Sequence, residues 1–195
     1  VFTYFTTNEA SFDLCISTPP PPPSNDLCPN AKSISCGGGF VGEDATNATS
    51  TGNPTPCSGS IGDGVWYTFT GTGDNLSVTV SPSGWDPEVG IYTGSCGSLN
   101  CELSVDQAGT GGQETINGFP TVNGVVYTIF VSGYAFAVPG GPFDISITCT
   151  TPPPPPPNDD CFGATSFPPI PTDGSCATVT GTTEGATQTQ SACIG

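Results

Sequence analysis

The sequence predicts an all-β protein built from antiparallel β-sandwich modules joined by polyproline II linkers. It also predicts that the second module is completed by a neighbouring subunit. Three observations lead there. Aromatic and β-branched residues recur in short runs of period two, which suits half-buried strands rather than helices. Gly, Pro, Asn and Asp clusters punctuate those runs at the spacing of a sandwich, and no segment sustains a 3.6-residue period. Two proline runs divide the chain, and each is followed by Asn-Asp-x-Cys.

The first run is Pro19, Pro20, Pro21, Pro22 and Pro23, followed by Ser24-Asn25-Asp26-Leu27-Cys28. The second is Pro152, Pro153, Pro154, Pro155, Pro156 and Pro157, followed by Asn158-Asp159-Asp160-Cys161. Proline lacks an N–H and has a fixed φ, so such runs enter neither helix nor sheet ladder. As polyproline II, each spans roughly 15–19 Å at ~3.1 Å per residue. The expected order is a hairpin segment over 1–18, a linker over 19–23 and a complete module over 24–151. A second linker over 152–157 and a partial module over 158–195 follow.

Within 24–151 the strands are expected at 32–36, 40–46, 65–70, 76–81, 88–93, 99–105, 114–119, 125–132 and 143–149. In the third, Val65, Tyr67 and Phe69 share one face while Trp66 and Thr68 share the other. In the eighth, Val125, Tyr127, Ile129 and Val131 share a face, with Val126 and Phe130 opposite.

Composition narrows the function classes. The chain has 17 acidic residues against one basic residue, Lys32, for a net charge of −16. Nucleic acid and anionic membrane both require basic footprints, so neither is an expected partner. No apolar run approaches the ~20 residues of a membrane-spanning helix, so no membrane insertion is expected. The sequence opens with Val1 and shows no signal peptide, as expected of a processed chain or an internal excerpt. Ten cysteines without a single histidine read as a disulfide framework in a secreted, extracellular or cell-surface protein. The sequons at Asn47 (Asn47-Ala48-Thr49) and Asn75 (Asn75-Leu76-Ser77) make these two residues the expected N-glycan carriers.

Residues 158–195 restart the pattern of 24–151. Asn158 falls on Asn25, and Cys176 on Cys36. Ala186-Thr187 falls on Ala45-Thr46, and Cys193 on Cys57. The strand that should follow, Val65-Trp66-Tyr67-Thr68-Phe69-Thr70-Gly71, has its counterpart at Val1-Phe2-Thr3-Tyr4-Phe5-Thr6-Thr7. The hairpin of one copy is therefore expected to complete residues 158–195 of another, through Val1, Phe2, Tyr4, Phe5, Phe12 and Leu14. Such a heterologous contact generates a linear array. Strand exchange between subunits and a continuous polyprotein both fit this pattern.

Cysteine spacing leads to expected pairs Cys96–Cys101, Cys36–Cys57 and Cys176–Cys193. The remaining four allow two arrangements. One joins first to last, as Cys28–Cys149 within the module and Cys161–Cys15 between copies; the other staples each rod, as Cys15–Cys28 and Cys149–Cys161. The first avoids bending a stiff rod and is favoured.

Catalytic chemistry finds little support. Without histidine there is no Ser-His-Asp or Cys-His triad and no imidazole metal ligand, and Gly37-Gly38-Gly39 lacks the Lys-Ser/Thr of a phosphate loop. The expectation is no enzyme and no cofactor. Asp44, Asp63, Asp86 and Glu88 could offer oxygens to Ca²⁺, with turn capping as the alternative use. Asp63, Asp86, Glu88 and Asp106 could meet in space as a glycosidase-type carboxylate pair. Trp85, in a Ser-Gly-Trp-Asp-Pro turn, is the candidate sugar-stacking residue.

Five motifs together resemble tandem extracellular repeats described as immunoglobulin-like or pre-peptidase-C-terminal-like β-sandwiches. They are N-D-x-C-x-x-A (25–31), V-W-Y-T-F-T-G (65–71), I-Y-T-G-S-C-G-S-L-N-C (91–101), G-V-V-Y-T-I-F-V-S-G (124–133) and G-P-F-D-I-S-I-T-C (141–149). Similar modules with proline linkers occur in algal mastigoneme-like filaments. The resemblance implies a scaffold or adhesive role and brings no catalytic residues. The proline runs at 19–23 and 152–157 themselves resemble the extensin-type runs of plant and algal wall proteins, which implies hydroxylation and O-glycosylation there, with bare polyproline II spacers as the alternative. The leading expectation is a structural subunit of an extracellular glycosylated filament, whose partners are copies of itself and covalent glycans. The alternatives are a carbohydrate-binding adhesin repeat and an accessory domain of a secreted hydrolase.

Overall fold

The computed structural model describes residues 18–57, 60–135, 140–159, 163–164, 166 and 168–187. Among them there is no α-helix, and nine strands form two sheets. The strands are β1 (Lys32–Ser33), β2 (Gly39–Asp44), β3 (Gly64–Thr70), β4 (Asn75–Pro82), β5 (Pro87–Ser95), β6 (Ser98–Val105), β7 (Glu114–Pro120), β8 (Val126–Gly133) and β9 (Pro142–Thr150). One sheet runs β1-β3-β8-β5-β6 and the other β2-β9-β4-β7. Every pairing is antiparallel except the two-residue parallel bridge of Lys32 and Ser33 to Tyr67 and Thr68.

Period-two alternation sends one side chain in two between the sheets. Val65, Tyr67, Phe69, Val89, Ile91, Tyr127, Ile129 and Val131 come from the first sheet; Leu76, Val78, Val80, Ile116, Phe143, Ile145 and Ile147 come from the second. Burying each of these aliphatic or aromatic groups stabilises the fold by about 1.5–3 kcal/mol. The two sheets differ on their outer faces. On β9 the buried and exposed residues alternate, as on a strand with one wet face.

On β3, β5 and β8 both faces are buried, because a second apolar cluster of Cys28, Ile61, Trp66, Tyr92 and Phe130 covers the outside of that sheet. Trp66 and Phe130 lie 4.4 Å apart between ring centroids. The outer edge of the buried Tyr92 ring packs on Gly90, where a Cβ would stand 2.8 Å from a ring carbon, so a larger residue there would displace the ring. The cover is drawn from two connections, the 25–31 segment and the loop before β3.

The disulfides follow this layering and correct three expected pairs. The bonds are Cys28–Cys96, Cys36–Cys149 and Cys57–Cys101, with Cα separations of 5.7, 5.5 and 5.4 Å. Cys28–Cys149 does not form because Cys28 belongs to the outer cover of one sheet and Cys149 to β9 of the other. Cys36–Cys57 fails for the same reason. Cys36 sits where Gly37 N–H donates to Ile147 of β9, while Cys57 packs on the outer cover. Cys96–Cys101 fails along the hairpin. Ser95 faces Ser98 at its tip, and Cys101 lies three residues further up β6, ~10 Å at strand rise. The two cover connections are instead each pinned to the β5–β6 hairpin.

Candidate functional site

The residues after each proline run make the most distinctive constellation in the chain. Asp26 N–H donates to the Pro23 carbonyl at 3.0 Å, closing a turn at the end of the first run. The turn aims the Asp26 carboxylate at residue 49. Thr49 N–H donates to Asp26 Oδ1 at 2.6 Å and Thr49 Oγ1 donates to Oδ2 at 2.7 Å. Both carboxylate oxygens are thus engaged by one residue, a charge-assisted pair stronger than a neutral bond. Ala48 N–H donates to the Ala45 carbonyl at 3.1 Å and shapes the loop that presents Thr49.

The same constellation recurs after the second run. Asp159 N–H donates to the Pro156 carbonyl at 2.9 Å. Thr187 N–H donates to Asp159 Oδ1 at 2.9 Å and Thr187 Oγ1 donates to Oδ2 at 2.6 Å. Ala186 N–H donates to the Thr183 carbonyl at 3.0 Å. Gly185, at φ 75°, lies so near the run that a Cβ would come 2.7 Å from the Pro153 and Pro154 carbonyl oxygens. The geometry therefore matches Ala186-Thr187 with Ala48-Thr49, three residues beyond the expected Ala45-Thr46. The span between the clasped residues is 28 in the second copy against 23 in the first.

Asn25 shows what the clasp positions. It is 1% exposed, its Nδ2 donates to the Trp66 carbonyl at 3.0 Å, and Trp66 N–H donates to the Asn25 carbonyl at 2.9 Å. Asn25 therefore grips both polar groups of one residue on the edge of β3. Beyond it, β1 seals that edge at Tyr67 and Thr68. Its counterpart Asn158 is exposed. Ile170 is 88% and Val179 46% exposed in the same segment.

A polar bridge joins the two sheets at β1 and β2. Lys32 Nζ lies 2.8 and 2.7 Å from the two oxygens of Glu43, and Tyr67 donates its hydroxyl to Glu43 Oε2 at 2.7 Å. Burial, and then the hydrogen bond to Glu43, push the Tyr67 phenol above its ordinary range.

Carboxylates gather where β5 begins and β6 and β7 adjoin it. Glu88 is 5% exposed. Burial pushes it up to about 7; Asp106 and Glu114 add to the shift and a Ser104 hydrogen bond opposes it. Burial, and then Asp86, also raise Asp106. Glu114 accepts from the Gln107 and Ala108 N–H groups at 2.9 and 2.5 Å. Three glycosidase candidates thus stand near one another, whereas Asp63 takes a bond from Asn53 at 3.4 Å in the cover loop.

Among the described residues no group of three or more Asp, Glu, Cys or His is placed to hold a metal ion. Asp44, a Ca²⁺ candidate, instead caps the turn at Thr46, accepting its N–H at 2.8 Å. Trp85 is 7% exposed, donates Nε1–H to the Pro142 carbonyl at 2.8 Å and meets Phe143 edge-on. Its ring belongs to the core and is not presented for sugar stacking.

The other expected sites fall as follows. Asn47 is exposed and Asn75 is half-buried at the start of β4. Pro19 to Pro22 are exposed and Pro23 is half-buried; in the second run Pro156 is buried and the other five are exposed. Cys176 is exposed and unbridged. Val1, Phe2, Tyr4, Phe5, Phe12, Leu14, Cys15, Cys161 and Cys193 lie outside the described residues. Sequence reasoning used Asn-Asp as a repeat marker but missed its chemistry. The available signal was an Ala-Thr dipeptide downstream of each Asp.

No family model, curated protein or solved structure matches this chain. Among the described residues no helix is long and apolar enough to cross a membrane.

Proposed function

We propose that the protein is a structural subunit of an extracellular, glycosylated filament, in which immunoglobulin-like sandwich modules alternate with polyproline linkers and copies join head to tail. The observation that carries this reading is the second clasp: Asp159 and Thr187 repeat, bond for bond, the Asp26–Thr49 arrangement that opens the described sandwich. A module-opening device behind each proline run suits a periodic array. Three disulfides suit an oxidising compartment. The reading assigns no catalytic role. The opening residues of one copy, with Val1, Phe2, Tyr4, Phe5, Phe12 and Leu14 as contacts, complete the segment 158–195 of the next. Asn47 and Asn75 carry N-glycans and the proline runs carry O-glycans.

Negative-stain microscopy of native material, with intact mass before and after deglycosylation, tests this reading. The expected result is linear arrays with a constant axial repeat and mass losses at both sequons. Solitary particles at all concentrations, with residues 1–18 folded on their own sandwich, would overturn it.

A further inference from the structure

The sequon at Asn47 and the clasp at Asp26 use the same threonine. Thr49 donates its N–H to Asp26 Oδ1 at 2.6 Å and its hydroxyl to Oδ2 at 2.7 Å. An asparagine accepts a glycan only with Ser or Thr two residues on, so the transferring enzyme must reach that hydroxyl as well as the amide. Asn47 itself is exposed. Ala48 N–H is tied to the Ala45 carbonyl at 3.1 Å, which fixes the loop between acceptor and hydroxyl. The acceptor is therefore open while the group that licenses it is already held by a carboxylate.

The second clasp shows that the threonine serves the clasp with or without an acceptor. Asp159 holds Thr187 through the same two bonds, yet Gly185 stands where Asn47 stands in the first loop. The other sequon is closed in a different way. Asn75 and Leu76 pair with both β7 and β9, Leu76 is 0% exposed, and Ser77 Oγ accepts from Gly118 N–H at 3.1 Å. Reaching Asn75 means extracting a central strand. Freeing the Thr49 hydroxyl means opening two hydrogen bonds.

We propose that Asp26 gates the glycosylation of Asn47: its carboxylate competes with the transferring enzyme for the Thr49 hydroxyl, so the sugar is attached only while the clasp is open. This rests on the reading above in which Asn47 and Asn75 carry N-glycans. In the transfer, Asn47 Nδ2 bonds to the anomeric carbon of a polyisoprenyl-pyrophosphate-linked oligosaccharide. The bond from that carbon to the pyrophosphate oxygen breaks, the lipid pyrophosphate leaves, and an amide proton passes to a base of the enzyme.

Chain order sets the interval in which this happens. Asp26 precedes Thr49, but Trp66, whose backbone anchors the adjacent Asn25, follows it. Until β3 joins, the clasp competes with water for little net gain and stays largely open. Once β3 joins, it shuts. Sugar and clasp coexist afterwards, because the clasp draws on Asp26 and Thr49 and leaves the Asn47 side chain exposed.

The test uses full-length chain produced without glycans, a solubilised microsomal transferase and its lipid-linked oligosaccharide donor. Occupancy at Asn47 and Asn75 is followed by peptide mass spectrometry. The substrates are folded wild type, reduced and alkylated wild type, and folded Asp26→Asn, whose Nδ2 in place of Oδ2 cannot accept the hydroxyl. The unfolded chain should be modified at both sites. The folded wild type should be slower at Asn47 by roughly tenfold or more, as expected of a charge-assisted pair that must first open. Asp26→Asn should recover most of that rate at Asn47 and none at Asn75. Equal rates at Asn47 for folded and unfolded wild type would overturn the gate and leave the N-glycan reading in place. So would an Asp26→Asn chain that is no faster than wild type, or one whose gain at Asn47 is matched at Asn75, which would mark general unfolding. No transfer to Asn47 of the unfolded chain would overturn both.

Discussion

Lys32, the one basic side chain in the sequence, lies 2.7 Å from Glu43 and ties the edge of one sheet to the edge of the other. The ammonium also stands 5.4 Å from the centre of the Phe40 ring. The side chains are 31% and 13% exposed, so the pair is partly shielded and worth more than a free surface bridge. Removing the cation leaves Glu43 bonded to a buried phenol that resists ionisation. Lys32→Met should lower stability by about 1–3 kcal/mol, read as a shift in the urea midpoint. The double variant with Glu43→Gln should cost less than the sum of the single changes. Strict additivity would show that the bridge contributes nothing.

Glu88 makes the sandwich more stable in mild acid than in mild base. Its folded pKa of about 7 is above its ordinary 4.5. The stabilisation is therefore complete below pH 4.5 and is lost as pH rises through 7. The loss amounts to at most about 3 kcal/mol. Glu88→Gln should flatten the dependence of melting temperature on pH between 4.5 and 7 and raise stability at pH 8. An unchanged slope would assign the effect to the overall acidic charge.

The two clasps should be energetically separate. Asp26→Ala removes both oxygens that hold Thr49 and should destabilise the sandwich by about 1–3 kcal/mol. Asp159→Ala should leave the melting of 24–151 unchanged while speeding hydrogen exchange at the Thr187 amide. A common response of both segments to either change would refute their independence.

The disulfides should rank by the chain they enclose. Cys36–Cys149 closes a separation of 113 residues and Cys57–Cys101 one of 44. Loop-closure entropy gives about 5 and about 4 kcal/mol, respectively. Paired Cys→Ala variants followed by calorimetry check the order, and the reverse order would show that local packing dominates.

The sandwich was legible because inward faces are written by period two: Val65, Tyr67, Phe69, Ile129 and Val131 all point where alternation placed them. Nine strands were expected over 24–151 and nine are found among the described residues, with ends shifted by a few residues. β1 is the largest departure, stopping at Ser33, although Ile34 N–H still donates to the Thr68 carbonyl at 2.9 Å and its side chain enters the core. Disulfide pairing was not legible, since it depends on which sheet a strand joins and on which loops cover it. Cys28 and Cys57 are distant from the β5–β6 hairpin in sequence and are brought to it only by packing around Trp66 and Phe130. The clasp was half legible: Asn-Asp stood out, but nothing local tells Asp26 to seek Thr49.

Cys36–Cys149 also decides how the protein answers a pull. Tension applied between Pro23 and Pro152 travels along residues 24–36, crosses the sulfur bridge and leaves through Cys149. Everything from Gly37 to Thr148 lies on a slack branch of that circuit. The sandwich therefore cannot be unravelled by stretching. Only the strip before Cys36 can peel, yielding no more than about 40 Å of slack at 3.3–3.6 Å per residue, after which the strand behaves as a nearly inextensible cord.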